Sequence, residues 1–114
     1  IHVPLTPETK HLINKERLSQ MKPSAFIINT ARGSVINETD LISALEDNII
    51  AGAALDVLEQ EPPDPDNPLL YMKNVILTPH IGWKCLESRQ RLINLLFMNI
   101  SAFIEGSPIN IVSN

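Results

Sequence analysis

Short apolar runs separated by polar residues give this chain its most regular pattern. Continuous apolar runs at 25–29, 51–57 and 74–77 are typical of short strands in a buried sheet. Residues 1–3 are expected to form the end of a further strand, because Pro4 follows them and cannot donate to a ladder. The pattern therefore predicts three internal strands and part of a fourth.

Longer segments with apolar residues three and four positions apart predict helices between these strands. Asn14 is a suitable cap for a short helix that ends at Gln20, and Asn37 is a suitable cap for a second helix. A long third helix is predicted from Glu87 to Gly106, since glycine commonly follows the last helical turn.

Strands that alternate with helices predict an α/β fold with a mainly parallel sheet. In such sheets, ligands bind beyond the carboxyl ends of the strands. Pro4, residues 30–32, Asp56 and His80 all follow predicted strands, so these positions are the first candidates for a functional site. The intervening segment 58–70 is rich in proline and aspartate and is expected to be a loop.

Composition narrows the functional classes. The 114 residues are 44% hydrophobic with a net charge of −4, which favours a folded domain and argues against a nucleic-acid partner. The apolar runs are too short to span a membrane, and no signal peptide is visible. The single Cys85 suits a reducing compartment, so a cytoplasmic location is expected. His2, His80 and Cys85 lack a recognisable metal-ligand spacing, and no metal is expected.

Three residues beside glycine or proline carry candidate chemistry. Arg32 can bind a carboxylate with two parallel hydrogen bonds, and His80 can transfer a proton near neutral pH. Glu61 can orient that imidazole and favour its charged form. Glu59 lies in the same loop, and only the position of Glu61 before Pro62 favours it over Glu59. Together these residues suit an acid whose neighbouring carbon gains or loses a proton.

The chain resembles the carboxyl-terminal part of the D-2-hydroxyacid dehydrogenases, since several short motifs occur in the family's order. These motifs are His2-Val3-Pro4-Leu5-Thr6, Met21-Lys22-Pro23, Asn29 to Gly33, Gly52 to Val57, Glu61-Pro62 and Asn74-Val75 through Thr78-Pro79-His80-Ile81-Gly82. The chain also begins with Ile1, so we interpret it as a fragment that starts at or inside a strand.

The resemblance implies part of a doubly wound Rossmann-type sheet, the carboxyl-terminal half of an NAD-binding domain, with a long final helix. It implies a domain over 1–105 and a tail over 106–114 that leads back to a substrate domain. It assigns substrate binding to Arg32, proton transfer to His80 and orientation of His80 to Glu61. The implied residues around NAD or NADP are Val3, Pro4, Thr9, Thr30, Ala31, Arg32, Asp56, His80 and Gly82.

The implied substrate is a small 2-keto or 2-hydroxy acid, and the implied full-length protein is a homodimer. Residues 82–84 and the ending from Asn99 to Asn110 are similar to glycerate dehydrogenases, also called hydroxypyruvate reductases. The family's glycine-rich Gly-x-Gly-x-x-Gly turn is absent from this sequence. A cofactor-sensing corepressor or scaffold on the same fold is the alternative function.

Overall fold

The computed structural model describes residues 1–112, which form two compact units, one over Ile1–Ile81 and one that begins at Gly82. The first unit contains the sheet and two helices, and the second contains one long helix. Within the described residues, no helix has both the length and the apolar character needed to cross a membrane.

A three-stranded parallel sheet forms the centre of the first unit. Its strands are β1 (Phe26–Asn29), β2 (Gly52–Leu55) and β3 (Val75–Leu77), in the order β1-β2-β3. Ile28 is aligned with Ala54, and Ala54 with Ile76. The predicted internal strands are thus present, each shortened at one or both ends. The parallel arrangement predicted from the alternation of strands and helices is confirmed.

Only one face of this sheet is buried within the described unit, although the continuous apolar runs are typical of a buried sheet. Ile27 and Leu55 are buried, whereas Phe26, Ile28 and Ile76 point to the other face and are exposed. Successive strand residues alternate between faces, and the helices of this unit contribute to the core on one face alone.

Two capped helices complete the core. Helix α1 (Lys15–Ser19) begins after Asn14, whose side chain accepts a hydrogen bond from the Arg17 backbone. Helix α2 (Glu38–Glu46) begins after Asn37, which accepts one from the Asp40 backbone. Both predicted caps are confirmed. The buried apolar residues that pack with the strands are Leu18 of α1 and Leu41, Ala44 and Leu45 of α2.

The amino-terminal segment differs from the prediction, because residues 1–3 form no strand. The Ile1 nitrogen donates to the carbonyl oxygen of Ile28 at 2.8 Å, but Pro4 has no N–H with which to continue a ladder. A parallel bridge between Ile13 and Ile36 was not predicted. Short 3₁₀ turns occur at Gly33–Val35 and at Pro68–Leu70, the latter inside the predicted loop.

The second unit contains helix α3 (Leu86–Ile104), close to the predicted bounds. Gly106 has a φ of +74°, and its N–H bonds to the carbonyl of Phe103, while the Ser107 N–H bonds to that of Ala102. This pair of bonds is the Schellman ending, which favours glycine at that position. The last two residues of the predicted tail lie outside the described residues, and its role stays a prediction.

Candidate active site

The candidate residues of the first unit lie where the three parallel strands end. Thr30 follows β1 and Asp56 follows β2, while His80 lies three residues beyond β3. The Asp56 N–H donates to the carbonyl of Asn29, so the loops beyond β1 and β2 are aligned at one edge. The predicted grouping at the carboxyl ends of the strands is therefore confirmed for residues 30–32, Asp56 and His80, but not for Pro4, since residues 1–3 form no strand.

A buried asparagine shapes the loop that carries Arg32. The side chain of Asn29 is fully buried; its oxygen accepts the Ala31 N–H at 3.0 Å and its nitrogen donates to the Arg32 carbonyl at 3.0 Å. The guanidinium of Arg32 is exposed and donates from Nη1 to the Ala31 carbonyl at 2.7 Å. Sequence reasoning missed this role of Asn29, although a polar residue that ends an apolar run is a signal of such a loop.

His80 and Glu61 form a direct pair. His80 Nδ1 lies 2.6 Å from Glu61 Oε2, and Glu61 Oε1 accepts the Leu58 N–H at 3.0 Å. The hydrogen bond with His80 is the main cause that holds the pKa of Glu61 below its ordinary value; partial burial opposes the shift and the Leu58 N–H supports it. Because an ionised carboxylate only accepts hydrogen bonds, Nδ1 of His80 is the donor.

The backbone of His80 is in an uncommon conformation. Its φ is +52°, and its N–H donates to the carbonyl of Thr78 across Pro79. Residues other than glycine rarely adopt this left-handed conformation, and those that do cluster at functional sites. The Thr78-Pro79-His80 turn therefore positions the imidazole beyond the end of β3, beside Glu61.

Asp56 is hydrogen-bonded to residues before and after His80 in this turn. Its carboxylate oxygen Oδ1 accepts hydrogen bonds from the hydroxyl of Thr78 and from the Ile81 N–H, the latter at 2.9 Å. Asp56 is buried, so its carboxylate is positioned by these bonds on both sides of His80. This contact could not be predicted from sequence, because it joins residues more than twenty positions apart. A contact of Asp56 with a cofactor stays a prediction.

The two candidate glutamates in the loop have different partners. Glu59 Oε1 lies 2.6 Å from His11 Nε2, whereas Glu61 contacts His80. The geometry therefore distinguishes the two carboxylates that the sequence could separate only by the following proline. The sequence favours a structural role for His11, and its side chain is the partner of Glu59.

A single cavity of about 310 Å³ brings the three chemical candidates together. Its lining includes Arg32, Glu61 and His80, and also Gly33, Leu58 and Glu59. His80 and Glu61 also border a second, mostly apolar cavity of about 380 Å³ that Arg32 does not line. The first cavity thus combines a cationic fork with a histidine–carboxylate pair.

A further cavity of about 460 Å³ contains most of the residues predicted to surround a nucleotide. They are Val3, Pro4, Thr30, Ala31 and Arg32. The hydroxyl of Thr9 is bonded instead to the Pro4 carbonyl at 2.7 Å, so Thr9 shapes the loop beside this cavity. Gly82 begins the second unit. Among residues 1–112, no group of three or more potential metal ligands is present.

A parallel α/β sheet with such cavities beyond its strand ends is typical of nucleotide-binding α/β domains. Residues 1–82 match the family model of the D-isomer specific 2-hydroxyacid dehydrogenase, NAD binding domain. The chain belongs to the D-isomer-specific 2-hydroxyacid dehydrogenase family, and the predicted Rossmann-type fold with a long carboxyl-terminal helix is confirmed.

Two relatives show the extent of the match. A hydroxypyruvate reductase of Blautia hydrogenotrophica is 47% identical over 99% of this chain and 35% of its own length. A glyoxylate reductase of Thermofilum pendens is 54% identical over 93% of this chain and 31% of its own length. The chain therefore spans about a third of the length of these relatives.

Solved structures agree with this assignment. A D-isomer specific 2-hydroxyacid dehydrogenase from Lactobacillus delbrueckii ssp. bulgaricus, in its NAD complexed form, has a TM-score of 0.89 at 31% identity. The match covers 99% of this chain and 38% of that one. One from Xanthobacter autotrophicus Py2, in complex with NADPH and MES, has a TM-score of 0.82 at 41% identity, covering 97% and 46%. The prediction of NAD or NADP as cofactor is confirmed at this level.

Proposed function

We propose that a full-length protein containing this chain reduces a 2-keto acid to a D-2-hydroxy acid, and catalyses the reverse reaction. The observation that carries this proposal is the cavity that Arg32 shares with the paired His80 and Glu61. An arginine fork beside an oriented histidine suits an acid with an adjacent carbonyl, because one group binds the carboxylate and the other supplies a proton.

The cavity beyond β1 fits one end of a dinucleotide. It lies at the carboxyl edge of a parallel sheet, where such ligands bind, and it is lined mainly by small or aliphatic side chains, together with His2 and the Arg32 cation. Val3, Pro4, Thr30 and Ala31 would hold the group there. When bound, NADH or NADPH supplies the hydride.

Arg32 binds the substrate carboxylate and polarises the carbonyl. One of its nitrogens bonds to the Ala31 carbonyl, which restrains the side chain, and a guanidinium has further N–H donors for the substrate. Because Nδ1 of His80 is engaged by Glu61, Nε2 is the nitrogen that gives its proton to the developing alkoxide oxygen. Glu61 keeps the imidazole oriented while this proton leaves. When His80 is protonated again, the Glu61 carboxylate stabilises the positive charge of the imidazolium.

Glyoxylate and hydroxypyruvate are the proposed substrates. The relatives named as reductases of these two acids support that choice, as do residues 82–84 and the ending of the chain. We place the full-length protein in the cytoplasm as a homodimer. The chain of 114 residues alone is expected to be inactive, since it spans only about a third of its relatives and lacks the glycine-rich turn.

The test is a turnover assay of the purified full-length protein with each acid and with NADH or NADPH. Loss of absorbance from the reduced cofactor, together with a product of D configuration, is the expected result. Cofactor binding without turnover of either acid would contradict the proposal and favour a sensing or scaffold role. Turnover of hydroxypyruvate by the 114-residue chain as a monomer would contradict the expectation that it needs the rest of the protein.

A further inference from the structure

The loop that carries Glu61 contains a second histidine–carboxylate pair. Glu59 and His11 approach to 2.6 Å, the same separation as Glu61 and His80, and both histidines have a φ of +52°. His11 does not line the cavity that holds Arg32 and His80. A chemical role for His11 is therefore disfavoured, and its contact with Glu59 calls for another explanation.

Glu59 is also bonded in both directions to the start of α2. Its Oε2 accepts the Glu38 N–H at 3.3 Å, and its own N–H donates to Glu38 Oε2 at 2.9 Å. The other oxygen of Glu38 accepts from the side chain of Asn67 at 2.6 Å. The two carboxylates repel each other, and the imidazole of His11 is the group that faces Glu59 from the loop before α1.

The segment fixed in this way joins the two halves of the candidate active site. The Leu58 N–H, one residue before Glu59, donates to the Glu61 carboxylate that holds His80. The Leu58–Glu59 peptide also packs on Gly33, where a Cβ atom would lie only 1.9 Å from the Leu58 oxygen. A shift of this peptide would therefore move the hydrogen-bond donor of Glu61 and change the packing on Gly33, the residue after Arg32.

We propose that Glu59 is a positioning residue: bonded to His11 and to the start of α2, it holds the 58–61 loop in the place from which Glu61 orients His80. This inference rests on the proposed function, since it assigns Glu59 a part in the same reaction. Glu59 also lines the cavity that holds Arg32 and His80, and the part proposed for it there is to position Glu61. The contacts with His11 and Glu38 hold Glu59 in position. The hydrogen bond from the Leu58 N–H to Glu61 links the position of this loop to the orientation of the Glu61 carboxylate.

The test compares Glu59→Gln and His11→Asn in the full-length protein. Asparagine tolerates the left-handed backbone of position 11, so His11→Asn removes the imidazole while sparing the turn. We expect kcat for keto-acid reduction to fall roughly 10-fold to 10²-fold in each variant, with little change in KM. Glu46→Gln, an exposed glutamate of α2, is the matched control and should behave as wild type.

The double variant Glu59→Gln/Glu61→Gln distinguishes positioning from a merely structural role. If Glu59 acts through Glu61, the double variant loses no more kcat than Glu61→Gln alone. Additive losses, or wild-type kcat in both single variants, would overturn the proposal. If Glu59→Gln does not fold, the same test is made with His11→Asn. The kcat of the double variant His11→Asn/Glu61→Gln is then compared with that of Glu61→Gln alone.

A second measurement does not depend on the reaction. In protein labelled with ¹⁵N at histidine, the neutral His80 of the wild type should carry its proton on Nδ1, opposite Glu61. Glu59→Gln should shift His80 toward the Nε2-protonated form, whereas Glu46→Gln should not. An unchanged His80 spectrum in Glu59→Gln would overturn the positioning role, even if the protein proved inactive toward every keto acid tested.

Discussion

Gly33→Ala is the change most directly tied to the geometry of the site. The added Cβ would lie 1.9 Å from the Leu58 oxygen, 2.0 Å from the Leu58 carbonyl carbon and 2.4 Å from the Glu59 nitrogen. These are backbone atoms, so the clash cannot be relieved by a rotation of a side chain. Because Cβ atoms essentially never approach closer than 3.0 Å, the two segments must separate by at least about 1 Å.

Two effects should follow from this separation. Overpacking of this kind costs about 1–3 kcal/mol of the free energy of unfolding, partly offset by about 0.4–1 kcal/mol because alanine restricts the unfolded chain. The displaced Leu58–Glu59 peptide also alters the Leu58 bond to Glu61, which holds His80. A misplacement of about 1 Å at a reacting group can lower the rate about 10²-fold, so kcat/KM should fall by that order.

The assay combines urea unfolding with steady-state reduction of hydroxypyruvate by the full-length protein. Gly106→Ala is the control: its φ of +74° makes alanine strained, but no atom lies within 4 Å of the added Cβ. It should cost about 1 kcal/mol and leave kcat/KM unchanged. Wild-type stability in Gly33→Ala would refute the packing argument, and lost stability with wild-type kcat/KM would show that the loop can move without disturbing His80.

Three further substitutions test the chemical residues in the full-length protein. His80→Ala should lower keto-acid reduction about 10²-fold to 10⁴-fold with little change in cofactor affinity, and near-normal turnover would remove it from proton transfer. Glu61→Gln should lower kcat for keto-acid reduction, because the imidazole of His80 loses the carboxylate that orients it, and a wild-type kcat would argue against that role. The pKa of Glu61 is lowered, so the pairing of its carboxylate with His80 stabilises the folded protein at pH values above about 4.3, the ordinary pKa of a glutamate. This stabilisation is lost as the pH falls through the lowered pKa. In acid, the free energies of unfolding of Glu61→Gln and of the wild type should therefore converge. Arg32→Lys should raise KM and lower kcat, because lysine lacks the planar fork; normal kinetics would contradict bidentate binding.

Local signals in the sequence were sufficient for the three strands and three helices of the fold, but the strand expected over residues 1–3 is not formed. Asn14 and Asn37 cap helices as predicted, and Gly106 ends α3, because these residues act on backbone groups within a few positions of themselves. The apolar runs located all three strands. The ends of strands and the side of the sheet that is covered were less well predicted, since both depend on what packs against each strand.

The sequence by itself determined the family, the parallel order of the strands and the identity of the residues at their ends. The sequence favoured Glu61 over Glu59 as the partner of His80. Only the tertiary structure decided the geometry of that contact, that Asp56 holds the turn around His80, and that Glu59 pairs with His11. These contacts join residues 19 to 48 positions apart. No local rule of propensity or spacing encodes such pairs, because loops of similar composition can present either carboxylate once the strands that carry them are brought side by side.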